Sequence, residues 1–122
     1  MISNKKLHEA HRLISVGNFS AAINILSLIL KKIPKHKDCL MLRGEAYLRN
    51  EQFEEALIDY AIIVELENKN LLALNNFSTA LIKSRKFNEA REIILYVREL
   101  DPKNYAALIN LGAIHQHFEE HH

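Results

Sequence analysis

The feature that most restricts this chain is a recurrence every 34 residues. Phe19, Phe53 and Phe87 stand 34 apart, and Ala22, Ala56 and Ala90 follow each of them by three. Pro34, Asn68 and Pro102 keep the same step. So do the small residues Ala10, Gly44, Ser78 and Gly112, and the leucines Leu40, Leu74 and Leu108. Leu26, Tyr60 and Ile94, then Ile29, Ile63 and Val97, complete the apolar columns. So many columns sharing one step mean one supersecondary unit used repeatedly, not a single irregular core. A unit this short with apolar residues toward both neighbours cannot bury them alone, so the units must stack.

Within each period the spacing is helical. Leu40, Arg43, Gly44 and Tyr47 fall at i, i+3, i+4 and i+7, which is one helix face, and Leu74, Phe77, Ser78 and Leu81 repeat it. Ala56, Tyr60, Ile63 and Val64 form a face on a second helix. Short polar turns separate the two: Val16-Gly17-Asn18, Asn50-Glu51-Gln52 and Ser84-Arg85-Lys86. Gly17 suits the left-handed conformation that closes a helix, and the second helices should end near Pro34 and Pro102. Gly44 and Ala56 let paired helices approach closely, and Tyr47 is expected to face the core. Only three Gly and two Pro in 122 residues leave little room for a turn-rich β fold. The expected domain is a single one, 1–122, with helix pairs over about 3–36, 37–70 and 71–104. A further helix over about 105–117 reads as the first half of another pair.

These residues resemble the tetratricopeptide repeat family. The resemblance is strongest in Leu40-x-x-Arg43-Gly44-x-x-Tyr47, Phe53-x-x-Ala56-x-x-x-Tyr60 and Asn68, and nearly as good in Leu74-x-x-Phe77-Ser78-x-x-Leu81, Phe87-x-x-Ala90 and Pro102. It implies an all-α, right-handed α-solenoid of three helix-turn-helix repeats plus a C-terminal helix. It also implies a non-catalytic module whose first helices line a concave groove for a peptide or helix of a protein partner. By that likeness the groove takes Leu7, His11 and Ile14 from the first unit. Asp38, Met41, Glu45, Leu48 and Arg49 come from the second, and Leu72, Asn75, Asn76, Thr79, Ile82 and Lys83 from the third. Ala106, Ile109, Asn110 and Ala113 follow on the last helix. The alternative is a small secretion or assembly chaperone holding an apolar client segment. Some relatives clamp acidic C-terminal peptides between Lys, Asn and Arg; at the matching places this chain has Leu7 and His11, Leu42, then Leu72 and Asn76. Lys6, Glu9 and Arg43 replace apolar residues of the family pattern. The first helix is therefore expected to be shifted or frayed, and Glu9 to pair with Arg43 across repeats.

Composition excludes other functions. Sixteen basic against fifteen acidic residues give a net charge of +1, which supports no nucleic-acid binding by bulk electrostatics. The lysines at 31, 32, 35 and 37 read as a solvated loop beside Asp38. The apolar runs are too short for membrane insertion, and the start of the chain carries no secretory pattern. One cysteine, Cys39, fits a reducing compartment, so the expected location is cytoplasmic. No phosphate loop, nucleophile elbow or zinc-protease motif is present, so no enzyme activity and no cofactor are expected. A metal site built on His8 and His11 with His36 or Glu45 is the one chemical alternative. Leu108, Leu111 and Gly112 lie where a following helix would cover them. The chain is therefore expected to self-associate through its C-terminal helix or to belong to a longer array. The terminal His121-His122 resembles the start of an affinity tag and is set aside.

Overall fold

The computed structural model describes residues 4–120. Those residues form seven helices and no strand: α1 (Asn4–Ser15), α2 (Phe19–Lys32), α3 (Lys37–Arg49), α4 (Phe53–Leu66), α5 (Leu71–Lys83), α6 (Phe87–Leu100) and α7 (Tyr105–Glu120). His121, His122 and residue 3, the expected start of the first repeat, lie outside them.

The turns inside each pair are three versions of one device. Gly17, Glu51 and Arg85 all take positive φ, at 84°, 60° and 63°. Behind each, an amide donates back five residues: Asn18 to Leu13, Gln52 to Tyr47 and Lys86 to Leu81, all at 2.8 Å. This is the left-handed closure that satisfies the last carbonyls of a helix. The turns between pairs are set by N-caps. His36 Nδ1 accepts from the Cys39 amide at 3.2 Å, and Asn70 and Asn104 Oδ1 accept from the Ala73 and Ala107 amides at 3.0 Å.

Packing is strictly local. Each helix touches its successor, and α1, α3, α5 and α7 also touch one another in order, whereas the even helices do not. The odd helices therefore form a tight inner layer and the even ones a splayed outer layer, which curves the stack and makes the inner face concave. The core runs between the layers through Ala10, Leu26, Leu40, Ala56, Tyr60, Ile63, Leu74 and Ile94. At Gly44 the Tyr60 ring of α4 seats directly on α3: a Cβ there would lie 3.0 Å from Tyr60 Cζ. Burial pushes the Tyr60 phenol well above its ordinary pKa.

Three expectations are corrected. Helix α1 spans Asn4–Ser15, in register with α3 (Lys37–Arg49) one period on, and is not shifted. Helix α7 runs to Glu120, not 117. Tyr47 packs against the core as expected, half-buried, with its ring 5.6 Å from the Arg43 guanidinium. Glu9 does not reach Arg43: it pairs one turn along with Arg12 at 2.6 Å. Arg43 turns instead to Asp59 on α4, donating through Nε and Nη2 at 2.8 and 2.7 Å, and to Ser27 Oγ on α2 at 3.1 Å. Asp59 is 1% exposed. Arg43 thus ties three helices through a forked contact. Its guanidinium is held more firmly charged by Asp59. Burial pushes the Asp59 carboxyl up against the opposing pull of those hydrogen bonds.

Candidate functional site

The inner layer carries the residues expected in the groove, and they divide into three groups. At the N-terminal end, Asn4, Leu7, His8 and His11 of α1 and Asp38, Met41 and Leu42 of α3 line a cleft of about 340 Å³. It unites Leu7, His11 and Met41. Leu7 and Met41 are half-buried against the core, and His11 is exposed. Asp38 and Glu45 lie one turn either side of Met41 on α3 and give this half of the face its negative charge.

Ile14 is not part of the surface. It is 2% exposed, wedged with Leu13, Ala22 and Ala46 where α1, α2 and α3 converge. The small Ala22 and Ala46 draw the helices together there, and the isoleucine fills the space between them. Leu48 is half-buried, and Arg49 places its guanidinium 5.2 Å from the Phe19 ring. That stacking turns Arg49 toward the start of α2.

The third group, on α5 and α7, is mostly engaged internally. Asn75 Nδ2 donates to Asn104 Oδ1 at 3.1 Å, the oxygen that also caps α7. Asn110 Nδ2 donates to Thr79 Oγ1 at 3.3 Å and to the Asn75 carbonyl at 3.5 Å. Asn75 and Thr79 therefore hold α7 against α5. Leu72 and Ile109 remain open, at 62% and 54% exposure, beside half-buried Asn76 and Ile82 and exposed Lys83, Ala106 and Ala113.

The chemistry such a face offers is recognition: apolar anchors with a few polar groups between them. Among the described residues no three His, Cys, Asp or Glu side chains gather closely enough to hold a metal. His36, one of the candidate ligands, spends Nδ1 on its helix cap. Cys39 is fully buried, and burial raises its thiol pKa, opposite to what a reactive thiolate needs. Among the described residues no helix is long and apolar enough to cross a membrane. Sequence reasoning missed Asp59 and the caps. The caps had a signal, since His36, Asn70 and Asn104 are themselves 34 apart. Asp59 had none, because a lone aspartate on an apolar helix looks like surface.

The sequence profile of the tetratricopeptide repeat matches residues 7–69, just over half the chain. Over 51 residues the chain is 41% identical to the STIP1 homolog of Dictyostelium discoideum, a stretch covering 42% of this chain and 9% of that protein. Among solved structures it is similar to the first tetratricopeptide domain of Spaghetti (RPAP3), bound to the HSP90 peptide SRMEEVD. That likeness has a TM-score of 0.85 at 24% identity and covers 98% of this chain and 97% of the other. The Sgt2 domain from Aspergillus fumigatus gives 0.83 at 21% identity, covering 96% and 79%. At these identities the structural likeness establishes the fold.

Proposed function

This chain belongs to the tetratricopeptide repeat family, and we propose that it is a non-catalytic interaction module taking a peptide or helix of a protein partner on its concave face. The observation that carries the reading is the inner layer itself. On its odd helices Leu72 and Ile109 are exposed, Leu7, Met41, Leu48 and Ile82 are half-buried against the core, and Leu7 and Met41 wall a cleft at α1 and α3. Read as one strip, these open and half-open apolar side chains suit an amphipathic helix or an extended apolar segment. Glu45, Asn76 and Lys83 border the strip and would fix its register. The RPAP3 domain, of the same fold, is known with a peptide bound, which supports the use of this fold for peptides. The functional unit is taken as the whole chain, with repeats over about 3–36, 37–70 and 71–104 and α7 beyond. The openness of Leu72 and Ile109 also favours the chaperone reading, in which the occupant is an apolar client segment. The lone buried thiol supports a cytoplasmic setting, and the balanced charge supports a protein partner over nucleic acid.

The test is selection of binding peptides from a displayed random library, followed by titration. Peptides selected on the wild-type chain should lose binding to Met41→Glu and keep it with Leu28→Ser, which alters the outer helix α2. Equal binding to both variants would overturn the groove.

A further inference from the structure

Helix α7 shows its partners' absence column by column. Leu40 and Leu74 are 1% and 2% exposed, but Leu108, in the same column, is 46% exposed. Leu71 is half-buried, but Tyr105, 34 residues on, is 76% exposed. At Gly44 a Cβ would meet the Tyr60 ring at 3.0 Å, whereas at Gly112 it would meet nothing within 4 Å. Tyr105, Leu108, Ile109 and Gly112 span an arc of about 100° at 3.6 residues per turn, so they form one continuous open stripe on the side of α7 opposite buried Ala107 and Ile114.

We propose that this stripe is covered by α7 of a second copy of the chain, as an antiparallel two-fold pair with each Tyr105 ring seated on the Gly112 of its mate. Two observations select a second copy as occupant, and a third shows the form of the contact. From Tyr105 to Phe118 the helix has no Asp, Glu, Lys or Arg, so two copies meet without like charges in contact. Tyr105 and Gly112 lie about 10 Å apart along the helix axis, at 1.5 Å per residue. An axis midway between them, beside Leu108 and Ile109, puts ring opposite notch on both sides at once, the self-complementarity an isologous contact requires. The chain already uses this contact internally: antiparallel α3 and α4 meet with Tyr60 on Gly44 and with Leu40 one turn before it, as Leu108 stands one turn before Gly112. One helix per side buries less than the roughly 800 Å² per partner of a standard interface, so the association is weak and concentration-dependent. It goes beyond the groove reading, sharing only Ile109 with the proposed strip.

Sedimentation velocity of the 122-residue chain over a concentration series tests it. The expected result is a reversible rise from monomer to dimer. Leu108→Glu places two carboxylates beside the axis, and Gly112→Leu fills the notch. Both should remain monomeric at every concentration, with wild-type helical circular dichroism, because neither position is packed in the monomer. A wild-type chain that stays monomeric up to its solubility limit overturns the proposal and leaves the stripe to some other helix, of a longer chain or of a different protein. A dimer that persists in both variants overturns it equally, since the contact then lies elsewhere.

Discussion

Arg43 stands in a column where an apolar residue would pack, and its replacement is stable only because Asp59 stands opposite. Removing one member of a buried pair leaves the other charge uncompensated. Arg43→Met should therefore cost about 3 kcal/mol in urea unfolding, while Arg43→Met with Asp59→Leu recovers most of that loss. The pH dependence has a definite sign. Burial holds the Asp59 carboxyl above its unfolded value, so its proton is favoured in the folded state. The penalty of ionising it is absent below the unfolded pKa and grows as pH rises through the folded one. Without Arg43 that penalty is larger, so Arg43→Met should be least destabilised in mild acid and most at neutral pH. The two inner-helix glycines give a second contrast. Gly44→Ala forces a methyl to 3.0 Å from Tyr60 Cζ and should cost about 1–3 kcal/mol. Gly112→Ala meets open space and should gain up to about 1 kcal/mol of helix propensity, read by thermal unfolding at high dilution.

Among the elements, the short turns are the part of the fold the residues announced least evenly. Gly17 signalled a left-handed closure, and the structure has it; Glu51 and Arg85 gave no such signal, yet adopt the same conformation. Helix-to-helix packing over-determines the turn, so a side chain is forced into a conformation that glycine enters without strain. Opposite mutations should then have opposite signs. Gly17→Ala should cost about 1 kcal/mol although no atom lies within 4 Å of the added methyl, and Glu51→Gly should gain a few tenths to about 1 kcal/mol. Arg85→Gly should gain less, because it also removes the guanidinium held 5.4 Å from the Phe87 ring. Chemical denaturation of the three variants checks the set. Helix positions were legible because apolar spacing and proline breaks reinforce one another. The extension of α7 to Glu120 was less so: Leu111, Ile114 and Phe118 carry the apolar spacing into the last turn, where Phe87 stacks on His117 at 3.7 Å, and only polar residues follow.

At the scale of the molecule, the concave face was legible as a set of inner-facing positions but not in its details. Ile14 belongs to a three-helix junction and Arg49 to Phe19, because which neighbour claims a side chain depends on tilt and separation, not on spacing. The charge of the face yields a prediction about ligands. The places where a clamp for acidic tails would need cations hold Leu7, His11, Leu42, Leu72 and Asn76, and Asp38 and Glu45 flank Met41. The peptide SRMEEVD, found on RPAP3, should therefore show no saturable binding to this chain in a fluorescence titration. Saturation in the micromolar range would contradict the assignment. Finally, among the described residues no helix touches one more than two places away along the chain. Nothing joins the two ends, so the stack has the mechanics of a coil spring. A slight rotation at each successive contact adds up along the array without breaking any one of them. The width of the groove is then an elastic variable, set jointly by the protein's own restoring stiffness and by whatever lies in its curve.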